Sequence, residues 1–181
     1  ILIAKTGEGS RDGLTAFAFH KDDPGWQIVR RIPIMGPEEH GGHCELKFDG
    51  LEIPDENRLM EVGQGLKLTQ IRLGLARLTH CMRWWGAAQR AHHIATEYAC
   101  RRQAFGKTLI DHEGVGFALA RNEVDLKQTQ LMIDYVAWTL DQGSRASTDS
   151  SMAKYTCGET LFQIVDRCVQ VLGGSDGRCH F

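Results

Sequence analysis

No apolar run in this sequence reaches the roughly 20 residues needed to cross a bilayer. Neither sign of charge dominates, since 21 Lys and Arg stand against 23 Asp and Glu, a net charge of −2. That balance argues against nucleic acid or an anionic membrane as partner. No Cys-x-x-Cys pair occurs among Cys44, Cys81, Cys100, Cys157, Cys168 and Cys179. Cys81, Cys100, Cys157 and Cys168 fall in helical patterns, where cysteine behaves as a small buried hydrophobe. The expectation is therefore a reducing compartment and no disulfide framework. The opening Ile1-Leu2-Ile3-Ala4 is too short for a signal-peptide core and has no basic residue before it. It reads as a strand entered midway, in a chain expected to be a piece of something longer. His40, His43 and Cys44 would supply three metal ligands, but no fourth lies at a familiar spacing, so no metal is expected.

What is present is ordinary for a globular protein. The chain has 181 residues, 42% hydrophobic and 24% charged, enough for one good-sized core or two small ones. From Ile1 to about Pro54 the pattern alternates or runs apolar in short stretches. Leu14–Phe19, Trp26–Val29 and Cys44–Phe48 read as strands, with a turn at Asp22-Asp23-Pro24-Gly25 and interruptions at Pro33 and Gly36-Pro37. Three or four strands without a covering helix cannot bury both faces.

After Gly63-Gln64-Gly65 the period changes to that of a helix. Ile71, Leu75, Leu78, Met82, Trp85, Ala88, Ala91 and Ala95 form one inward stripe, with small residues at Gly86-Ala87-Ala88 for close approach. Val115, Leu119, Asn122, Leu126, Thr129, Ile133, Val136 and Leu140 form a second, with Glu123 and Lys127 paired on another face. Gln142-Gly143-Ser144 ends that helix, and Thr148 to Ser151 offer caps for a third. Its inward stripe is Ala153, Cys157, Leu161, Ile164, Cys168 and Val171, closed by Gly173-Gly174. Three long helices with short joints predict an antiparallel bundle. The expected division is 1–60 for the strands and 61–181 for the helices.

Two segments carry chemistry beyond packing. In Arg101-Arg102-Gln103-Ala104-Phe105-Gly106-Lys107, the arginines suit the negative end of a helix dipole, and Gly106 is expected to stop the helix. Phe105 beside a guanidinium is suited to a flat ring system and its phosphates. In Val169-Gln170-Val171-Leu172-Gly173-Gly174, paired glycines let backbone N–H groups approach a phosphate or a ring.

The first segment resembles the Arg-x-x-Phe-Gly element of the acyl-CoA dehydrogenase family, and the second its Gln-x-x-Gly-Gly element. Arg72-Leu73-Gly74 through Arg77, then His80-Cys81-Met82-Arg83, resembles the branch with family members ten and eleven. The resemblance implies an α+β fold: the second half of a middle β domain, then a C-terminal helical bundle. It implies FAD as cofactor, with Arg102, Phe105, Gln170, Gly173 and Gly174 meeting the FAD of a neighbouring subunit. It also implies Arg77 near a bound acyl-CoA, a homodimer or homotetramer, and an electron-accepting flavoprotein as partner. The implied activity is α,β-dehydrogenation of an acyl-CoA thioester, with hydride passed to flavin. The compartment would be the cytoplasm of a bacterium, or a eukaryotic mitochondrion or peroxisome. A related flavin oxidase or monooxygenase, or a non-catalytic helical interaction module, are the alternatives.

The sequence departs from the family at three places. Ala104 stands where many relatives have threonine, Glu113 where many have glutamine, and Gly74 where some have an acidic residue. The family's catalytic base either precedes the Arg77 position, here Ala76, or follows the last helix, and no catalytic residue is assigned.

Overall fold

The computed structural model describes residues 1–35 and 42–174. Of the sequence features above, Gly36-Pro37, His40 and the tail from Ser175 to Phe181 lie outside the described residues. The chain divides into two compact units, Ile1–Gln70 and Ile71–Phe181.

The first unit is built from antiparallel strands. β1 (Leu2–Lys5), β2 (Leu14–Phe17) and β5 (Arg58–Leu59) form one sheet in the order β1-β2-β5, and β3 (Trp26–Ile32) pairs with β4 (His43–Phe48) in another. Leu2 faces Phe17 and Lys5 faces Leu14. The turn before β3 requires Gly25, at φ 93°, where a Cβ would lie 2.4 Å from the Leu51 nitrogen. β3 runs three residues beyond the expected Val29, past a register shift between Ile28 and Arg30. Within this unit Thr15 and Ala16 of β2 are fully buried. The Thr15 hydroxyl accepts the Gly63 N–H at 3.0 Å and lies 2.6 Å from the Thr6 hydroxyl, which ties β2 to the residues that lead into the first helix.

Three long helices make the second unit: α1 (Gly65–Arg101, whose first turns belong to the first unit), α2 (Glu113–Asp141) and α3 (Ser147–Leu172). Trp85 donates its indole N–H to the Leu126 carbonyl at 2.9 Å, and His92 lies against Asn122 and Glu123. Rising numbers on α1 thus meet falling numbers on α2, which sets the pair antiparallel. Arg167 and Cys168 against Asn122 and Asp125 do the same for α3. The fold is α+β, small antiparallel sheets followed by a helical bundle.

Of the three inward stripes, that of α2 faces the core at every expected position. On α3 the stripe holds from Ala153 to Cys168, but Leu172 is buried at its end where Val171 is half-buried. On α1 the stripe is different from the one expected. Ile71, Leu75 and Met82 are exposed, while Cys81 and Ala99 join Leu78, Ala88, Ala91 and Ala95 inside. Met82 sits one residue beyond Cys81, about 100° further round the axis, and a helix packing through alanines leaves no room to turn it inward.

Two further expectations are corrected. Glu123 pairs with His92 of α1 at 2.9 Å, not with Lys127. The start of α3 is not capped by Thr148 to Ser151: Ala146 is the N-cap residue, at φ 44°, and the Ser150 and Ser151 hydroxyls bond back to the Ser147 carbonyl. Gly143 does end α2, at φ 79° with its N–H on the Leu140 carbonyl.

Candidate functional site

The last bond of α1 runs from the Arg102 N–H to the Tyr98 carbonyl at 2.9 Å. The chain then turns sharply. β6 (Gln103–Ala104) pairs with β7 (Lys107–Thr108), Gln103 opposite Thr108 and Ala104 opposite Lys107. Phe105 and Gly106 are the two central residues, at φ 51° and φ 82°. Two consecutive positive φ values define the tight hairpin turn whose twist suits antiparallel strands. Gly106 is therefore a hairpin residue and not the helix stop expected of it; α1 has already ended at Arg101.

Phe105 is the unusual member. An aromatic side chain in the left-handed region is strained by about 1 kcal/mol or more. Burial does not compensate, because Phe105 is 94% exposed. The hairpin is held by its surroundings. Leu109 donates to the Arg102 carbonyl at 2.9 Å, and Lys107 Nζ donates to the Asp111 carbonyl at 2.6 Å. The Thr108 hydroxyl bonds the Asp111 carboxylate, and His112 Nε2 donates to the Ala104 carbonyl at 3.0 Å.

Gln170, Gly173 and Gly174 lie exposed at the end of α3, with open space where a Cβ would stand on either glycine. The antiparallel pairing of α2 and α3 carries this end towards the start of α2, the end of the bundle that bears the hairpin. Arg102, Phe105, Gln170 and the two glycines thus share one end. Arg77 does not: it lies half-buried on α1, roughly 36 Å from the helix end at about 1.5 Å per residue. Glu113 opens α2, where its carboxylate suits the positive end of the helix.

Between the helices lies a polar cluster that sequence spacing did not reveal. Arg167 Nη1 donates to Asn122 Oδ1 and to Asp125 Oδ2, both at 2.8 Å, and Arg121 Nε donates to Asp125 Oδ1 at 3.1 Å. Asn122 Nδ2 donates to Cys168 Sγ at 3.4 Å. Burial pushes the Cys168 thiol up to about 11, against a smaller downward pull from Arg167 and from the Asn122 hydrogen bond. A signal was available in Asn122 on an inward stripe, which obliges a polar partner inside.

His43 and Cys44 open β4, and among the described residues no three His, Cys, Asp or Glu side chains gather to hold a metal. Among the same residues no helix is long and apolar enough to cross a membrane.

Small antiparallel sheets followed by a helical bundle, with Arg102 and the strained, exposed Phe105 at one end, define an α+β protein. The profile described as "Acyl-CoA dehydrogenase, C-terminal domain" matches residues 63–175. The chain belongs to the acyl-CoA dehydrogenase family. It is 35% identical over 156 residues to the probable acyl-CoA dehydrogenase FadE2 of Mycobacterium tuberculosis, covering 85% of this chain and 38% of that protein. It is 34% identical over 158 residues to acyl-CoA dehydrogenase family member 11 of Rattus norvegicus, covering 85% of this chain and 20% of that protein. Among solved structures, butyryl-CoA dehydrogenase from Megasphaera elsdenii matches with a TM-score of 0.90 at 26% identity, over 96% of this chain and 45% of that one. PigA, solved with FAD and proline, matches with a TM-score of 0.86 at 27% identity, over 96% and 45%. The chain spans less than two fifths of the length of these curated relatives.

Proposed function

We propose that these residues belong to an FAD-dependent acyl-CoA dehydrogenase that oxidises the α,β bond of an acyl-CoA thioester, and that they complete the cofactor site of a neighbouring subunit. The observation that carries this reading is Phe105, held strained and almost wholly exposed at the tip of the hairpin that follows Arg102. Strain kept at a surface position asks for a ligand that uses it. The residues fit such a group. The Arg102 guanidinium donates in a fork to phosphate oxygens, the Phe105 face lies against a flat ring, and Gly173 and Gly174 let the backbone come close without a Cβ in the way. Gln170 adds an amide that donates and accepts. When bound, FAD supplies the hydride acceptor. Arg77, which among the described residues makes no hydrogen bond or ion pair, is the candidate for the acyl-CoA, at a separate place. A homodimer or homotetramer, and an electron-accepting flavoprotein as partner, belong to the same reading.

A non-catalytic helical module is the second reading. Ala76 has no carboxylate to take the α-proton, so the dehydrogenase reading places the base after the last helix.

The test is Arg102→Ala. A charge-assisted contact to pyrophosphate is worth about 1.5–3 kcal/mol, so flavin retained per subunit after gel filtration should fall about tenfold or more while the helical circular dichroism stays unchanged. Equal flavin content in variant and wild type would refute the assignment.

A further inference from the structure

The hairpin that displays Phe105 has a ladder of two residue pairs, too short to enforce two positive φ values by itself. Leu109 and Asp111 brace its two strands, and His112 alone among these supports reaches the Phe105 side of the turn. Its backbone is fixed by the start of α2: the His112 N–H donates to the Leu109 carbonyl at 3.1 Å, and its carbonyl accepts from Val115 and Gly116, each at 2.9 Å. From that anchored position the side chain reaches back across the turn. Nε2 lies 3.0 Å from the Ala104 carbonyl, the residue just before Phe105. The imidazole and Phe105 rings meet edge to face, with centroids 6.1 Å apart at 89°. A carbonyl can only accept, so Nε2 carries the hydrogen and Nδ1 is the nitrogen left open. The ring therefore grips the turn twice, by a hydrogen bond to the backbone before Phe105 and by contact with the Phe105 ring.

We propose that His112 is a positioning residue that locks the Phe105–Gly106 turn, holding the Phe105 face ready for a flavin nucleotide. The flavin part rests on the function proposed above; the lock on the turn does not. Neither His112 nitrogen needs to touch the ligand. Its effect is preorganisation: without it Phe105 relaxes from the left-handed region, and ordering it again weakens binding.

The full chain is measured in two ways, by amide exchange across residues 103–109 without cofactor and by titration with FAD. In His112→Ala, hairpin amides should exchange about tenfold faster while amides in the middle of α2 keep their protection, and FAD affinity should fall about tenfold, the scale of one lost hydrogen bond plus a ring contact. His112→Gln, whose side-chain amide can donate to the same carbonyl, should recover most of both effects. His112→Phe, which keeps a ring and loses the donor, should recover less. Should the alanine variant fold poorly, the glutamine and phenylalanine variants still rank the two grips. Unchanged hairpin exchange in His112→Ala or His112→Phe overturns the lock. Faster hairpin exchange with unchanged FAD affinity overturns the link to the cofactor. If the wild type takes up no FAD, the functional reading fails, and the exchange measurement alone decides the lock.

Discussion

Asp125 is a carboxylate sealed within the helices, with a side chain 4% exposed, and it stays there because two guanidiniums meet it. Taking a charge out of water costs several kcal/mol, and removing one partner of a buried pair leaves that cost unmatched. Arg167→Met should therefore destabilise by about 3 kcal/mol in urea unfolding, at the low end for such pairs because Arg121 remains. Arg167→Met with Asp125→Leu should regain much of that loss, since a matched apolar pair has no charge to bury; a double variant as unstable as the single one would refute the electrostatic account. Cys168 gives a pH test beside it. A thiol held at about 11, above its ordinary 9.0, binds its proton more tightly folded than unfolded. Its contribution is complete below pH 9 and is lost as pH climbs through about 11. The stability difference between wild type and Cys168→Ala should shrink over that window, and a constant difference would contradict the shift. Helical spacing made Asn122 and Cys168 legible as inward residues. It could not show Arg167 as their neighbour, because spacing reports the face of one helix and says nothing of which turn of the next one it meets.

The hairpin between α1 and α2 sets a local conflict against a presumed use. An Asn-Gly pair is the sequence that such a turn prefers, and Phe-Gly is not. Phe105→Asn should relieve the strain and stabilise the chain by about 1 kcal/mol, read as a rise in Tm, while FAD retained per subunit falls. A variant that gained stability and kept its flavin would remove the reason for the phenylalanine. The same misfit explains why the turn was illegible in the sequence. Its strands are two residues long, below any alternation window, and its first left-handed residue is one that seldom adopts that conformation, so Gly106 looked like the end of a helix. The stripe of α2 was read in full because its large apolar residues contrast with charged neighbours. That of α1 drifted because alanines carry the packing, and Ile71, Leu75 and Met82, which dominate the pattern, point outward. The start of α3 was misread for a related reason: four residues from Thr148 to Ser151 looked fit to cap, and the backbone chose Ala146, which has no capping group.

At the scale of the whole molecule, the exposed residues ask for a covering surface, and the proposed function supplies it with a second copy of the chain. Arg102, Phe105 and Gln170 all face outward, and in the proposed function they meet the flavin of a neighbour. The outer face of α2 adds an independent reason. Phe117, Val124, Leu131 and Trp138 recur there at every seventh residue, and each is more than half exposed, with the Tyr135 ring tilted against Trp138 at 6.1 Å between centroids. A helix apolar on its inner stripe and again on an outer heptad stripe has two faces to bury, and the three helices described cover one of them. Burying what these four side chains still expose would contribute on the order of 1–2 kcal/mol each before the cost of association is met. Light scattering on the full-length protein should show a dimer or tetramer. Leu131→Asp, at the middle of the stripe, should shift it towards monomer while leaving the inner core of α2 untouched, since Leu131 is 55% exposed. If the neighbour completes the cofactor site, flavin should be lost together with the assembly, in proportion to the monomer formed. A stable monomer that still holds FAD would contradict the inter-subunit assignment, whereas an intact oligomer in Leu131→Asp would clear this face and leave the hairpin end as the contact.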